Sequence, residues 1–451
     1  MKLVLPGNVK KVLELLSANG FEAFIVGGCV RDAILGREPN DWDVTTNALP
    51  QAVKRIFHHT VDTGLQHGTV TVLLGGGSFE VTTYRIDGVY EDGRHPSSVT
   101  FTPSLSEDLR RRDFTINAMA YNEEQGIVDL FGGQEDLRRG VIRCVGDPDE
   151  RFDEDALRIL RAVRFSAQLG FSIDPKTRSA VRRHAEELQK ISVERIRVEL
   201  MKLLVSDHPG RLRDLYELGL TAQFLPEFDV CMETPQNTPH HAYSVGEHTI
   251  RTVENIEADP ILRLTMLLHD FGKPDRRLVD KNGKDHFPSH PARSAEMAED
   301  ILKRLKFDNK TIERVVNLVR WHDRRPKHTE KSVRRTLWRI GPENFEDYLK
   351  VRRADDSGKS DYKKEEKAAD ILGTERIGRR ILEERDPMSV RELAISGKEL
   401  LELGAKGKEI GAILDGALQL VLKNPEANTR EYLLEYAAFE HKMWQLDGEI
   451  V

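Results

Sequence analysis

The stretch GGCVRDAILGREPNDWDVTT, which runs from Gly27 to Thr46, carries two carboxylates one residue apart. If the end of this stretch is a β-strand, Asp41 and Asp43 point to the same side, because alternate residues of a strand share a face. Two carboxylates side by side repel each other unless a cation lies between them. The pair therefore predicts a site for a hard metal ion such as Mg²⁺, with a phosphate substrate as a further ligand.

Residues before this pair are suited to binding phosphate. Gly27 and Gly28, at a predicted strand-to-helix turn, allow the backbone to approach a triphosphate closely. The N-terminus of the helix that follows favours an anion. Arg31 adds a positive charge on that helix.

Two later segments extend the predicted site. Phosphoryl transfer with two metal ions often needs a third carboxylate from a neighbouring strand, and Glu80 in FEVTTYR is the candidate. Arg111 and Arg112, which precede Asp113, bring two cations to phosphate. Taken singly, a Gly-Gly pair is usually a turn and an Asp-x-Asp is usually a solvated loop. Their order within one region favours a catalytic site.

Length and composition limit the class of protein. A chain of 451 residues is too long for one ordinary core, so two to four domains are expected. The net charge of −7 argues weakly against nucleic-acid binding, although a local basic surface can coexist with it. No apolar run approaches the roughly 20 residues of a membrane span. The scattered Cys29, Cys144 and Cys231 form no disulfide or metal pattern, which favours a reducing cytoplasm.

Strand-like segments are concentrated in the first 140 residues. FEAFIVGG, DWDVTT, GTVTVLL and FEVTTYR are apolar or alternating and rich in β-branched residues. After RCVGDPDERF, the apolar residues recur at helical spacing instead. We therefore expect an α+β chain with a mixed α/β domain over about 1–140 and helices thereafter.

Several long segments resemble the class II tRNA nucleotidyltransferases, or CCA-adding enzymes, which belong to the polymerase-β superfamily and share their core with bacterial poly(A) polymerases. They are GGCVRDAILGREPNDWDVTT, LQHGTVTV, YRIDGVYEDGRHPSSVTF, DLRRRDFTINAMA, DPDERFDEDALRILRAVRF and ISVERIRVEL, which are collinear with the family over about 20–210. The resemblance implies a polymerase-β-like nucleotidyltransferase head followed by an all-α neck, body and tail. The implied boundaries are 1–140 for the catalytic head, 141–215 for the neck, 216–380 for the body and 381–451 for a tRNA-binding tail.

The resemblance also implies an activity, which is to build or repair the 3′-terminal CCA of tRNA from CTP and ATP without a nucleic-acid template. The 3′-hydroxyl attacks the α-phosphate and pyrophosphate leaves. Mg²⁺ would be bound by Asp41, Asp43 and Glu80, and Arg112 would be catalytic. The expected partners are tRNA, CTP and ATP, without DNA or a membrane. The implied nucleotide-binding residues are Gly27, Gly28, Arg31, Arg112, Asp155, Arg158, Arg161 and Arg164.

One predicted helix would read the base. Asp155 and Arg158 are three residues apart, so they would share a helical face, and Arg161 and Arg164 continue the row. By itself this pattern is typical of a surface ion pair with an exposed basic stripe. In the family, the Glu-Asp-x-x-Arg pattern found at 154–158 is a protein template that pairs with the Watson–Crick edge of cytosine or adenine. Guanine and uracil present an acceptor oxygen where the aspartate needs a donor.

Specificity within the family is predicted from a loop. The stretch RIDGVYEDGRHPSS, over about 85–98, matches the flexible loop needed for the switch to ATP, which favours full CCA addition. Addition of A alone and poly(A) polymerisation remain alternatives. Basic residues in RSAVRRHAEELQK of the neck and GAKGKEIG of the tail are candidates for contacts with RNA phosphates.

Histidines between about 240 and 360 form a second constellation. Together with carboxylates they suit a transition metal, and their order resembles that of an HD-type metal-dependent phosphohydrolase. The implied ligands are His248, His269, Asp270, His290, His322 and Asp355. His269-Asp270 is preferred to the second pair at 322–323, because Gly272 and Lys273 follow it in the family manner, and Asp355 is preferred to Asp356.

Two interpretations of the histidines stay open. A working site would hydrolyse phosphomonoesters or cyclic phosphodiesters, such as the 2′,3′-cyclic phosphate of a damaged tRNA end. Alternatively, the body is helical with a decayed metal site. A rival of another class is a phosphohydrolase whose head only binds nucleotide or RNA, but a binding remnant has no need for the metal carboxylates.

Overall fold

The computed structural model describes residues 2–88 and 99–448. The chain divides into two compact units, residues 1–229 and 230–451. The finer division into head, neck, body and tail stays a prediction. Most of the predicted loop over 85–98 lies outside the described residues.

The first unit is built on a seven-stranded mixed sheet. Its strand order is β3-β4-β5-β2-β1-β8-β9, in which only β2 and β5 pair in parallel. The sheet strands are β1 Ala23–Val26, β2 Val44–Thr46, β3 Thr60–Gly64, β4 Thr69–Leu74, β5 Gly77–Thr83, β8 Met119–Asn122 and β9 Gly126–Asp129. Separate two-stranded pairs are formed by β6 Arg85–Asp87 with β7 Val99–Phe101 and by β10 Val141–Ile142 with β11 Ser172–Ile173.

The central strand β1 is apolar throughout because it is buried on both faces. Phe24 and Val26 of this strand pack with Tyr84, Leu109 and Ala120 in one core cluster. Adjacent strands therefore enter the sheet with a defined register, and their polar ends are brought to a common edge.

Twelve helices begin within the described residues of the first unit. They are α1 Gly7–Ala18, α2 Gly28–Ile34, α3 Pro50–Ile56, α4 Leu105–Arg110, α5 Gly133–Arg139, α6 Pro148–Glu154, α7 Leu157–Leu169, α8 Pro175–Arg183, α9 Val193–Leu204, α10 Leu212–Glu217, α11 Thr221–Phe224 and α12 Pro226–Glu233, of which the last spans the boundary between the units. Aspartate side chains cap α6 and α8, as the Asp-Pro starts of both segments predict.

The second unit is helical apart from the short pair β12 Leu278–Val279 and β13 Asp285–His286. Its helices are α13 Val245–Glu254, α14 Pro260–Leu268, α15 His290–Arg304, α16 Asn309–Trp321, α17 Glu330–Ile340, α18 Phe345–Ser357, α19 Lys364–Glu383, α20 Gly397–Glu402, α21 Lys408–Val421 and α22 Arg430–Gly448. Among residues 2–88 and 99–448, no helix has the length and apolar character that a membrane crossing requires.

The predicted α+β class is confirmed, and two local predictions are wrong. The strand expected over DWDVTT begins only at Val44, so Asp41 and Asp43 lie just before it. The single helix expected to carry Asp155 and Arg158 is interrupted, because α6 ends at Glu154 and α7 begins at Leu157. Asp155 has extended backbone angles at this break, so it does not share a helical face with Arg158.

Candidate nucleotide and metal sites

Three carboxylates, Asp41, Asp43 and Glu80, lie near one another at strands β2 and β5. Asp43 extends β2 by one residue, since its carbonyl accepts a 3.0 Å hydrogen bond from the backbone N–H of Val26. The parallel register of Val44 with Val81 places Asp43 beside Glu80. Burial raises the pKa of Asp43, and the charges of Glu80 and Asp41 raise it further, whereas Arg112 lowers it. Such a set of oxygen atoms fits a hard divalent cation.

The turn after β1 requires glycine. Gly27 has φ 83° and ψ −131°, a conformation that residues with a Cβ rarely adopt. A Cβ built there would lie 2.9 Å from Nη1 of Arg112, so a side chain would displace this arginine. Gly28 begins α2 directly after the turn. The backbone and an arginine thus approach each other closely beside the carboxylates.

The two arginines of the Arg-Arg-Asp run have different roles. Asp108, which is fully buried on α4, contacts Arg111 at 2.6 Å and Arg112 at 3.5 Å. Burial raises the pKa of Asp108, but the two guanidinium groups outweigh that effect and hold it below its usual range. Only Arg112 also extends toward Gly27. The spacings of three and four residues on one helix could have indicated Asp108 from the sequence.

A buried polar network joins α2 to α7 through Asp113. Oδ2 of Asp113 accepts hydrogen bonds from Arg161 at 2.6 and 2.8 Å, and its Oδ1 accepts one from Asn117 at 3.2 Å. Oδ1 of Asn117 in turn accepts a 2.7 Å hydrogen bond from Arg31. Burial raises the pKa of Asp113, but Arg161 and Arg158 lower it far below the ordinary value. Asn117 was not among the predicted site residues.

We expect Asp113→Asn to lower the free energy of unfolding by about 3 kcal/mol, because it leaves Arg161 without its buried counter-charge. This value is the lower end of the usual cost of breaking a buried ion pair, since the side chain of Arg161 remains 33% exposed. Asp113 has a depressed pKa, so its contribution is complete above the unfolded value near 4 and is lost as the pH falls toward the folded value. Urea unfolding at pH 7 and at pH 3 measures both effects.

The matched control for this variant is Asp149→Asn, which removes an exposed ion pair with Arg183. Asp149→Asn should lower the free energy of unfolding by less than about 1 kcal/mol. Equal losses in the two variants, or a loss in Asp113→Asn that does not shrink at pH 3, would contradict the proposed role of the network.

The arginines of α7 are not an exposed stripe. Arg158 is 9% exposed and contacts Glu154 and the backbone carbonyls of Arg151 and Arg111, while Arg164 pairs with Glu199 at 2.8 Å. The predicted partner Asp155 instead accepts a 2.8 Å hydrogen bond from Arg195 of α9. The basic row is therefore bound to carboxylates of other elements.

Phe165 is the centre of this arginine cluster. The guanidinium carbons of Arg31, Arg161 and Arg164 lie 5.2, 5.3 and 3.5 Å from the centroid of its ring. Contacts of this kind are favourable, because the face of an aromatic ring is negative. No pattern in the sequence distinguished Phe165 from a core residue.

In the neck segment, basic residues predicted to contact RNA are paired within the protein. Arg178 contacts Asp214 at 2.5 Å and Glu217 at 2.7 Å, and Arg183 contacts Asp149 at 2.6 Å. Their role in binding RNA stays a prediction.

A second site lies in the helical unit, where all six predicted HD-type residues converge. Oδ2 of Asp270 lies 3.4 Å from Nε2 of His248 and 3.2 Å from Nε2 of His269. Oδ1 lies 3.3 Å from Nε2 of His290 and 3.5 Å from Nε2 of His322. The carboxylate of Asp270 therefore stands between two histidine pairs.

Asp355 completes the first histidine pair, since its Oδ1 lies 3.1 Å from Nε2 of His248 and 3.8 Å from Nε2 of His269. The two aspartates that the sequence ranked lower contact an arginine instead of the histidines. Asp356 contacts Arg325 at 2.9 Å, and Asp323 of the second His-Asp pair lies 3.6 Å from the same arginine. The arrangement therefore has the six residues preferred from the sequence and omits the two rivals.

Each of the four histidines is oriented by a backbone carbonyl. Nδ1 of His248 lies 3.1 Å from the carbonyl oxygen of Gly358. Nδ1 of His269, His290 and His322 lies 2.7–2.9 Å from the carbonyl oxygens of Met266, Phe287 and Val319, respectively. A proton on Nδ1 leaves the Nε2 lone pair directed at the cluster, as in metal-binding histidines. Neither oxygen of Asp270 accepts a well-directed hydrogen bond, so this buried donor set fits divalent metal ions.

Two lysines neutralise the carboxylates of the histidine cluster. The sequence did not indicate these lysines as partners of the cluster. Lys273 contacts Asp270 at 2.6 Å and Lys359 contacts Asp355 at 2.5 Å. Burial raises the pKa of Asp270, but His269 and Lys273 lower it well below the usual range. Their spacings of three and four residues from the carboxylates are the signal that could have indicated them.

Comparison with known proteins identifies the chain as a nucleotidyltransferase. A family described as the poly(A) polymerase head domain matches residues 23–143, and one described as a probable RNA- and SrmB-binding site of polymerase A matches 170–232. A third, described as a putative tRNA nucleotidyltransferase domain 2, matches 292–437.

Relatives define the family more narrowly. The chain is 37% identical to a CCA-adding enzyme of Levilactobacillus brevis over 410 residues, which is 90% of both chains, and 37% identical to one of Lactobacillus delbrueckii subsp. bulgaricus over 432 residues, covering 95% of this chain and 96% of the other. It also resembles the crystal structure of the Bacillus stearothermophilus CCA-adding enzyme in complex with CTP, with a TM-score of 0.73, 30% identity and 98% coverage of both chains. The chain belongs to the CCA-adding enzymes, a family of tRNA nucleotidyltransferases. Membership implies a divalent metal ion.

Proposed function

We propose that this protein completes the 3′-terminal CCA of tRNA from CTP and ATP without a nucleic-acid template. The observation that carries the proposal is the group of three carboxylates, Asp41, Asp43 and Glu80, beside the turn at Gly27 and the side chain of Arg112. The similar Bacillus stearothermophilus enzyme was crystallised with CTP, which supports a nucleoside triphosphate as the substrate.

In this mechanism the three carboxylates would hold Mg²⁺, which makes a hydroxyl more acidic and stabilises the departing pyrophosphate. The turn at Gly27 and Gly28 lets backbone groups approach the triphosphate, and Arg112 supplies a cation. The 3′-hydroxyl oxygen of the RNA forms a new bond to the α-phosphorus. The bond to the β-phosphate oxygen breaks, the hydroxyl proton is lost and pyrophosphate leaves.

Base selection would require an exchange of partners. Asp155 is bound to Arg195, and Arg158 is bound to Glu154 and two carbonyls. A base that offers an N–H donor to Asp155 and an acceptor to Arg158 would replace these contacts. Cytosine and adenine offer that pattern, whereas a base with an acceptor oxygen opposite Asp155 would leave a carboxylate unsatisfied.

The test uses three tRNA substrates, which end before CCA, after C and after CC, each with Mg²⁺ and CTP, ATP or both. We expect all three to be completed to CCA and then to stop, with products sized at single-nucleotide resolution. Growth of only the CC-ended tRNA by one A would instead identify an A-adding enzyme. Long A tails would identify a poly(A) polymerase.

We also propose a metal-dependent phosphohydrolase activity for the helical unit. Four histidine Nε2 atoms around the buried carboxylate of Asp270 support it, with His248, His269 and Asp355 on one side and His290 and His322 on the other. Asp270 belongs to both candidate ligand groups, and divalent transition-metal ions held there would supply an activated water. The water oxygen forms a bond to phosphorus, the ester bond breaks and the departing alcohol takes a proton.

A 2′,3′-cyclic phosphate at a damaged tRNA end is the substrate that would link the two sites. Complete removal of such a phosphate restores the 3′-hydroxyl that nucleotide addition requires. The proposed order is therefore hydrolysis in the helical unit before transfer in the first unit.

A further inference from the structure

The histidine cluster opens into a cavity of about 700 Å³. The metal-binding histidines form one part of the wall. Other parts carry charged side chains of both signs. The basic ones are contributed by the segment after α14, the segment before β13, the segment after α16, and the region from the end of α18 into α19. These are Lys273, Lys284, Arg325, Lys359, Lys363 and Lys367.

Most of these cations have a carboxylate partner. Lys363 contacts Glu366 at 2.7 Å and Arg325 contacts Asp356 at 2.9 Å. Lys284 and Lys367 differ, because within the described residues no carboxylate lies within 4.0 Å of either ammonium group. Within the described residues, the wall therefore has two lysines without a carboxylate in direct contact.

Lys367 is the more unusual of the two, since it is only 7% exposed. Its Nζ donates one long hydrogen bond, of 3.4 Å, to the carbonyl of Ser360. Burial lowers the pKa of Lys367 most, and Lys359 and Arg325 also lower it, whereas the charges of Asp356 and Asp355 raise it. A buried ammonium group with a single weak acceptor is costly, and an anionic ligand would offset that cost.

Ser360 joins this lysine to an aromatic corner of the cavity. The backbone N–H of Ser360 donates a 2.9 Å hydrogen bond to the carbonyl of His240, and its hydroxyl donates one of 2.5 Å to the carbonyl of Pro239. The ring of His240 packs edge-to-face on Tyr362, with centroids 4.9 Å apart. Lys367 and His240 thus both form hydrogen bonds with the backbone of Ser360.

Positive charge surrounds His240 from several elements. Burial lowers the pKa of its ring, and the cations that lower it further are Lys367, Lys359, Lys284 and Arg325. This corner therefore combines a positive potential with two aromatic rings, which suits a phosphate group attached to a nucleoside.

We propose that Lys367, at the His240 corner, forms a subsite for a second phosphate group, so that the substrates of this site are nucleotides with one phosphate besides the ester that is hydrolysed. The inference rests on the proposed phosphohydrolase function. The second phosphate is either the internucleotide phosphate of an RNA end or the 5′-phosphate of a free nucleotide.

The test compares kcat/KM for three 2′,3′-cyclic phosphates: adenosine alone, adenosine with a 5′-phosphate, and the dinucleotide ApA. We expect metal-loaded protein to prefer one or both two-phosphate substrates by about tenfold, the worth of one charged hydrogen bond. Lys367→Gln should remove the preference. Lys364→Gln is the matched control, because Lys364 lies on the same helix, is 76% exposed and is not part of the cavity wall.

Each result has one meaning. A preference for the dinucleotide alone assigns the subsite to RNA, and a preference for the 5′-phosphate alone assigns it to free nucleotides. Equal kcat/KM for all three substrates, or a preference that survives Lys367→Gln, overturns the subsite. Hydrolysis of none of them overturns the phosphohydrolase function instead.

A binding measurement decides the subsite even in that last case. Calorimetry in EDTA compares adenosine 3′,5′-bisphosphate with adenosine 3′-phosphate, so that no metal-loaded activity is needed. We expect Lys367→Gln to weaken binding of the bisphosphate about tenfold and Lys364→Gln to leave it unchanged. The nucleotide site of the first unit contributes equally to all three proteins. Unchanged binding in Lys367→Gln would refute the subsite.

Discussion

We expect Asp43→Asn to abolish the proposed nucleotide addition to tRNA, with a fall in rate of about 10³-fold or more. The reason is that a metal ion supplies several kcal/mol of transition-state stabilisation in phosphoryl transfer, and about 1.4 kcal/mol corresponds to each factor of ten in rate. An asparagine oxygen carries no full negative charge, so the remaining Asp41 and Glu80 would bind Mg²⁺ more weakly. Single-turnover incorporation of CMP into a tRNA without its CCA measures the loss.

The same variant should not be less stable than the wild-type protein without metal. Burial and the charges of Glu80 and Asp41 raise the pKa of Asp43, so its ionised form is disfavoured in the folded state. Removal of that charge relieves repulsion. We therefore expect the melting temperature of Asp43→Asn in EDTA to stay the same or rise, and we expect Mg²⁺ to raise the melting temperature of the wild-type protein but not that of Asp43→Asn.

Asp62→Asn is the matched control, because Asp62 lies on the same sheet and forms an exposed ion pair with Lys54. It should retain full activity and the response to Mg²⁺. Substantial CMP incorporation by Asp43→Asn, or a melting temperature in EDTA well below that of the wild-type protein, would contradict the assignment of Asp43 to a metal site.

Asp270→Asn should remove the metal-dependent phosphohydrolase activity, again by about 10³-fold or more, and leave CCA addition intact. Asp270 faces both histidine pairs through its two oxygens, so the substitution weakens both proposed metal positions together. Hydrolysis of 2′,3′-cyclic AMP and the metal content of the purified protein measure the effect. CCA addition by the same sample reports on the fold.

The control is Asp323→Asn, which alters the other His-Asp pair of the chain without touching the cluster. It should keep its metal ions and its phosphohydrolase activity. Loss of both activities in Asp270→Asn would contradict the picture of two separate sites. Full retention of metal and hydrolysis would show that the histidine cluster is not the hydrolytic centre.

Local sequence predicted the glycine turn and the aspartate pair of the first candidate site because these parts are close together in the chain. The glycine turn, Arg31 and the two aspartates lie within 20 residues, and glycine conformation and carboxylate repulsion are local properties. The same reasoning was wrong for Asp155. A helical pattern continues through 154–158, but Asp155 caps the start of α7 through the N–H of Leu157 and bonds to Arg195 on α9 instead. A partner 40 residues away thus outweighed helix propensity.

By itself, the sequence determined the α+β class, the ligand types of both candidate metal sites and the choice of Asp270 and Asp355 over their neighbours. Only the tertiary structure decided how these groups face one another. Asp270 stands between two histidine pairs, Asp113 accepts from Arg161 across 48 residues, and Lys367 lies buried without a carboxylate. The physical reason is that residue type and spacing set local geometry, whereas the partner of a buried charge is selected by packing between distant elements.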